Sequence, residues 1–200
     1  MLYQLCKYLL LPFVYILYRP KVINKSNFPF QGKCIVVSNH ISLIDPVVIG
    51  CSLPRQLYYM AKTELFRNKI MRAILVRIGA FPVKRGAADI SAIKNALLVL
   101  KKDHVLGIFP EGKRSKTGEL QDFESGVALI ALKAGAPILP IVIQTQYRIF
   151  HRTVISVGTL LSFDDIIHDK DKDRSETIQK ITSRVSKAMQ ELRFLYNESC

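Results

Sequence analysis

The stretch Val37-Ser38-Asn39-His40-Ile41-Ser42-Leu43-Ile44-Asp45-Pro46 decides how this chain is read. A β-rich apolar run, Cys34 to Val37, feeds into a histidine, and an acid follows at Asp45. Ser42 and Asp45 can start a helix that continues to Leu53. The stretch therefore reads as a strand end, a turn and a helix start, which is where open α/β sheets carry their working residues. An acid so placed can accept the Nδ1–H of the imidazole, fix its tautomer and leave Nε2 free to take a proton. A histidine near a carboxylate is more often a structural pair than a catalyst, so the rest of the chain has to decide.

Outward from this stretch, strand patterns alternate with helix patterns. Gln56–Met60 reads as a strand and Thr63–Ile78 as a helix with Leu65, Phe66, Ile70, Ala73, Ile74 and Ile78 at helical spacing. Gly79–Gly86 reads as a turn, a short strand and a second turn, with the basic pair Lys84-Arg85 at the strand's carboxyl end. Asp89 caps an amphipathic helix with Ile90, Ile93, Leu97 and Leu100 on one face. Val105–Phe109 is an apolar strand that ends in Pro110-Glu111-Gly112-Lys113-Arg114-Ser115. A small-residue helix, Ser125–Ala134, closes at Gly135, and the strand Ile138–Ile143 is interrupted by Pro140. Thr153–Val157 is a further strand, Asp164–Arg174 a charged loop. Asp173 and Glu176 then open a last helix with the stripe Ile178, Ile181, Val185, Met189 and Leu192. This alternation predicts an α/β domain with a mostly parallel central sheet flanked by helices.

The 200 residues suit one domain, and 49% hydrophobic residues are ample for a core. The formal net charge of +13 favours an anionic partner: nucleic acid, an acidic membrane surface or a phosphorylated substrate. The charge is dispersed, and no helix-turn-helix, zinc finger or aromatic RNA-binding signature appears, so nucleic acid is not expected. The cysteines Cys6, Cys34, Cys51 and Cys200 lie far apart and form no CxxC pair, a reduced cytosolic pattern. His104, His151 and His168 are scattered and no ligand spacing accompanies His40 and Asp45, so neither a metal nor another cofactor is expected.

From Tyr8 to Tyr18 the chain carries no charge, then meets Arg19 and Lys21. That run is far short of the ~20 residues that span a bilayer. A core helix, an interfacial segment and a poor anchor all remain open. Tyr3, Tyr8, Tyr15 and Tyr18 beside Arg19, Lys21 and Lys25 favour an interfacial helix that dips into one leaflet. The division expected is residues 1–26 as a membrane-interfacial anchor and 27–200 as the chemical domain. Seven basic residues between Lys62 and Arg85, against the single acid Glu64, offer a second membrane-facing surface.

Three predicted strands thus end in polar turns, with His40 and Asp45, Lys84 and Arg85, and Glu111 and Arg114. A parallel sheet brings such ends to one edge. The order Asn39-His40-(four residues)-Asp45, then Gly79–Arg85, then Phe109–Ser115, then Ala136-Pro137-Ile138-Leu139-Pro140 resembles the glycerolipid acyltransferase family with the HxxxxD motif. The four blocks in this order cover about half the chain.

The resemblance implies a glycerolphosphate-acyltransferase-like fold and a definite reaction. A fatty acyl group would pass from a thioester donor, acyl-CoA or acyl-acyl-carrier-protein, to the free sn-2 hydroxyl of 1-acyl-glycerol-3-phosphate (lysophosphatidic acid), giving phosphatidic acid. By position in the blocks, His40 would be the general base and Asp45 its orienter. Arg85 and Arg114 would contact the phosphate, Glu111 beside Gly112 would hold the glycerol end, and the fourth block would shape the acyl site around Pro137. The family usually has threonine where this chain has Lys113, an added cation available to a phosphate. Acyl-chain preference is expected to depend on Leu65, Phe66, Ile70 and Ile74. The enzyme would sit on the cytoplasmic face of a membrane, monotopic or peripheral. Another lysophospholipid or glycerol-3-phosphate as acceptor, or a non-catalytic membrane-surface protein of this fold, are the alternatives.

Overall fold

The computed structural model describes residues 2–84, 89–115, 117–167 and 173–197. Seven strands form one sheet: β1 (Lys21–Ile23), β2 (Cys34–Ser38), β3 (Leu57–Lys62), β4 (Phe81–Val83), β5 (Val105–Ile108), β6 (Ile138–Gln144) and β7 (Val154–Val157). Their order is β1-β7-β6-β2-β5-β3-β4. Every pairing is parallel except that of β6 with β7, so the expected mostly parallel sheet is what forms. The helices are α1 (Leu2–Tyr18), α2 (Asp45–Ser52), α3 (Lys69–Arg77), α4 (Ile90–Lys101), α5 (Gly126–Ala134), the short α6 (Asp164–Ile167) and α7 (Arg174–Asn197).

Two cores lie on the two faces of the sheet. Ile35, Val37, Leu106, Ile138 and Val142 meet α4, α5 and α7 through Ala96, Leu100, Val127, Ala131, Ile181, Val185 and Met189. The alternate residues Cys34, Val36, Val105, Leu139 and Ile141 meet α1 and α2 through Val14, Val48 and Ile49. The period-2 alternation of strand side chains produces this division, and burial on both faces explains why β2 reads as an unbroken apolar run.

Three features depart from the sequence reading. Thr63–Ile78 is not one helix but a 3₁₀ turn, Thr63–Phe66, followed by α3. The break falls at Asn68, whose side chain accepts from the N–H groups of Ile70 (2.9 Å) and Met71 (3.1 Å) and so caps a new start. Strand β6 runs straight through Pro140. The Pro140 carbonyl accepts from Gly158 N at 2.9 Å, so the missing N–H faces the same side, beyond Val157 where the β7 ladder ends. Lys21–Ile23, read as part of the anchor, forms edge strand β1 on β7.

Helix α1 lies against α2 rather than standing clear of the domain. The Tyr3 hydroxyl donates to Gly50 O (3.4 Å) and Lys7 Nζ to Leu53 O (2.5 Å). Val14 is its only buried residue; Leu11 and Tyr18 are half-buried on the same stripe. Leu5, Tyr8, Leu9, Phe13 and Ile16 face outward and are exposed. No helix among the described residues is long and apolar enough to cross a membrane.

Candidate active site

The central strand β2 ends at Ser38, and the chain turns through Asn39 and His40 before α2 begins at Asp45. The turn is fixed from both sides. The Asn39 side chain donates to Ile143 O (2.9 Å) and accepts from Ile143 N (2.8 Å), which pins it to β6. On the other side Ser115 N donates to His40 O at 2.7 Å, which pins it to the loop after β5. The imidazole is then stacked on Phe109, with ring centroids 4.2 Å apart, and Phe109 stacks in turn on Tyr59.

His40 Nδ1 lies 2.7 Å from Asp45 Oδ2, and both residues are buried. The same oxygen accepts from the N–H groups of Ile41 (2.7 Å) and Ser42 (2.8 Å), while Oδ1 accepts from the Tyr147 hydroxyl (2.5 Å). The positive end of α2 lies beside this carboxylate. With donors on both oxygens, this fully buried carboxylate is fixed in direction. It is therefore an acceptor for Nδ1–H, which assigns the proton to Nδ1 and leaves Nε2, unbonded to any described residue, as the basic nitrogen.

Glu111 follows β5, the strand next to β2, so the sheet brings it to the same edge. It is buried, and neither carboxylate oxygen has a hydrogen-bond partner among the described residues. Burial pushes its carboxyl up to about 7, and the charge of Asp45 adds to the rise. Near neutrality such a group both donates and accepts, a pattern that matches an alcohol. Gly112 makes the turn possible: its φ is +65°, and a Cβ there would stand 2.4 Å from Glu124 Oε1. Lys113 and Arg114 are exposed beyond it, and no acid among the described residues pairs with either.

The other expected site residues are spread more widely. Arg85 lies outside the described residues; Lys84 before it follows β4, at the same sheet edge. Leu65, Ile70 and Ile74 are exposed and Phe66 half-buried on the 3₁₀ turn and α3, so they line no enclosed cavity. Pro137 stands at the opposite edge. Its carbonyl accepts from Ile35 N, and Ile35 is separated from His40 by roughly 15 Å of extended chain. Sequence reasoning missed Asn39 as a brace and Tyr147 as a partner of Asp45. Asn39 stood beside His40 in the motif and was a visible signal, whereas nothing in the local pattern around Tyr147 marks it.

The chain is similar to known proteins in sequence and in fold. A family model described as "Acyltransferase" matches residues 19–144, which include every strand but β7. The 1-acyl-sn-glycerol-3-phosphate acyltransferase of Bacillus subtilis (strain 168) is 33% identical over 178 residues, 86% of this chain and 87% of that protein. The protein of the same name from Streptococcus pneumoniae is 33% identical over 84% of this chain and 64% of its own length. The crystal structure of the 1-acyl-sn-glycerophosphate (LPA) acyltransferase PlsC from Thermotoga maritima superposes with a TM-score of 0.72 at 22% identity. It covers 96% of this chain and 78% of that one, a likeness of fold. With a matched region that contains the buried His40–Asp45 pair and the Glu111 turn beside it, this chain belongs to the acyltransferase family.

Proposed function

We propose that this enzyme acylates the free sn-2 hydroxyl of 1-acyl-sn-glycerol-3-phosphate and releases phosphatidic acid. The observation that carries the reading is the buried His40–Asp45 pair, one strand away from the buried carboxyl of Glu111, with neither Nε2 nor that carboxyl bonded to any described residue. Relatives bearing the name of this activity over most of the chain support it.

His40 Nε2 takes the proton of the acceptor hydroxyl as its oxygen adds to the thioester carbonyl. Asp45 balances the imidazolium. The tetrahedral intermediate collapses, the C–S bond breaks, and the departing thiolate takes the proton back from Nε2. No acyl-enzyme is required, because a thioester is already activated. Glu111 holds the glycerol end, Lys113 and Arg114 offer cations to the phosphate at the same edge, and Arg85, outside the described residues, is a third cation for it. The donor is an acyl thioester, acyl-CoA or acyl-acyl-carrier-protein.

Helix α1 serves as the interfacial element of an acyltransferase domain that already takes in Lys21–Ile23 as β1, docked on the cytoplasmic face of a bilayer. The apolar outward face of α1 supports this, as does α3, where exposed Ile70, Met71, Ile74 and Val76 stand among Lys69, Arg72 and Arg77. Acyl chains then meet Leu65, Phe66, Ile70 and Ile74 at the lipid surface.

The test is incubation of the full chain with lysophosphatidic acid in anionic vesicles and labelled acyl-CoA or acyl-carrier-protein. Labelled phosphatidic acid is expected. Transfer to glycerol-3-phosphate or to another lysophospholipid in preference to lysophosphatidic acid would overturn the acceptor assignment.

A further inference from the structure

We propose that Tyr147 is a positioning residue for the His40–Asp45 pair, and that its seat is set by the last turn of α1. This inference rests on the reading of His40 as the base.

Asp45 is fully buried and its two oxygens are unequally served. Among the described residues Oδ2 has three donors, whereas Oδ1 has the Tyr147 hydroxyl alone, at 2.5 Å. Burial, with Asp45 close by, keeps that hydroxyl protonated, so it acts as a donor. Without it Oδ1 would be a bare acceptor in a dry site. The carboxylate would then rotate to recover a partner and carry Oδ2 out of line with Nδ1–H. Loss of this one donor therefore tilts the imidazole that has to meet the acceptor hydroxyl.

Tyr147 is held in place at some cost. Its φ of 46° is left-handed, a conformation that a bulky side chain adopts only when its surroundings dictate it. Those surroundings belong to α1. The Tyr18 ring meets the Tyr147 ring edge-on at 5.5 Å. Phe150 N donates to Leu17 O (2.7 Å) and Thr153 N to Tyr18 O (2.9 Å), so the segment carrying Tyr147 hangs from the end of α1. Tyr147 N donates to Thr145 Oγ1 (3.0 Å), which also accepts from the Thr153 hydroxyl (3.0 Å). A continuous chain of contacts thus runs from the helix whose other face is free for lipid to the carboxylate that orients the base. Seating α1 seats Tyr147, and Tyr147 sets the pair.

The experiment uses the full chain with Tyr147→Phe, Tyr18→Phe and Tyr18→Ala, assayed below their unfolding temperatures. Tyr147→Phe should lower kcat about tenfold or more, with KM for donor and acceptor unchanged. It should also shift the low-field proton resonance of His40 Nδ1–H, which is read without substrate. Tyr18→Phe keeps the ring edge and should behave as the unsubstituted protein, whereas Tyr18→Ala should lose part of kcat with the same resonance shift. A Tyr147→Phe protein with kcat within twofold and an unmoved resonance would overturn the proposal, and so would a loss that appears only in KM. Should the unsubstituted protein transfer no acyl group, the proposed function fails while the resonance still judges Tyr147.

Discussion

Asn39 and Ile143 are joined by two hydrogen bonds of 2.9 and 2.8 Å, a side-chain amide taking the place of a neighbouring strand's backbone. β2 and β6 pair through Ser38↔Ile141, so the Asn39 side chain carries the contact past the end of their ladder. Both partners are buried. Asn39→Ala leaves the N–H and C=O of Ile143 without partners, at a cost of about 1–3 kcal/mol, and frees the turn that presents His40. We expect a lowered Tm together with a loss of turnover at temperatures where the variant is still folded. Full turnover in folded Asn39→Ala would show that the brace serves stability alone.

His40 and Asp45 separate two effects that a single knockout would merge. His40→Ala removes the base and should cost about 10²–10⁴ in kcat with the fold intact. Asp45→Asn is more selective. The amide oxygen can still accept from Nδ1–H and from the N–H groups of Ile41 and Ser42, and the Tyr147 hydroxyl can turn round to accept from the new amide. Geometry is kept and charge is lost, so the drop, about 10²-fold or more, measures what the carboxylate contributes to the imidazolium. Near-normal transfer by His40→Ala would sink the mechanism.

Glu111 makes stability depend on pH. Its carboxyl is held at about 7 in the fold against an ordinary value of 4.5. Between those values the folded protein binds more protons than the unfolded chain, so stability falls as pH rises through this window and is level above it. Glu111→Gln removes the titration. Its stability relative to the unsubstituted protein should rise from pH 4.5 to 7, towards an upper bound of about 3 kcal/mol at pH 8, read as a growing difference in Tm. Acceptor KM should worsen in the same variant. An equal Tm difference at pH 4.5 and 8 would show that the buried carboxyl is not the source.

Much of the site was legible because it depends on strand ends. A parallel sheet gathers whatever follows each strand, and His40, Lys84 and Glu111 all follow one. The same rule places Pro137 elsewhere: it precedes β6, and residues that precede a parallel strand gather at the far edge. That much could have been read from the sequence by applying the rule in full. Tyr147 could not. It reaches Asp45 across 102 positions from a loop with no periodicity, and only the pairing of β6 with β7 and the end of α1 bring it there. Leu65, Ile70 and Ile74 have core spacing yet lie on the surface. Periodicity shows that residues share a face, and says nothing of what covers that face.

What covers these faces is the last expectation. On α1, Leu9 and Phe13 are 62% and 59% exposed, and on α3 Ile70 is 73% exposed, apolar faces of the kind that can serve as a contact with a membrane or a protein. Fully burying such a side chain is worth about 1.5–3 kcal/mol, so two or three of them with basic neighbours suffice for reversible docking on anionic lipid. Leu9→Glu with Phe13→Glu should weaken binding to anionic vesicles by at least about tenfold, and Ile70→Glu with Ile74→Glu should do so independently. Salt should weaken the unsubstituted protein's binding through the charges around α3. The α1 pair leaves His40, Asp45 and the acyl-chain contacts on α3 untouched, so its turnover of a short-chain acceptor dissolved as monomers should persist. Vesicle binding unchanged in both pairs would remove the membrane from the account of these helices.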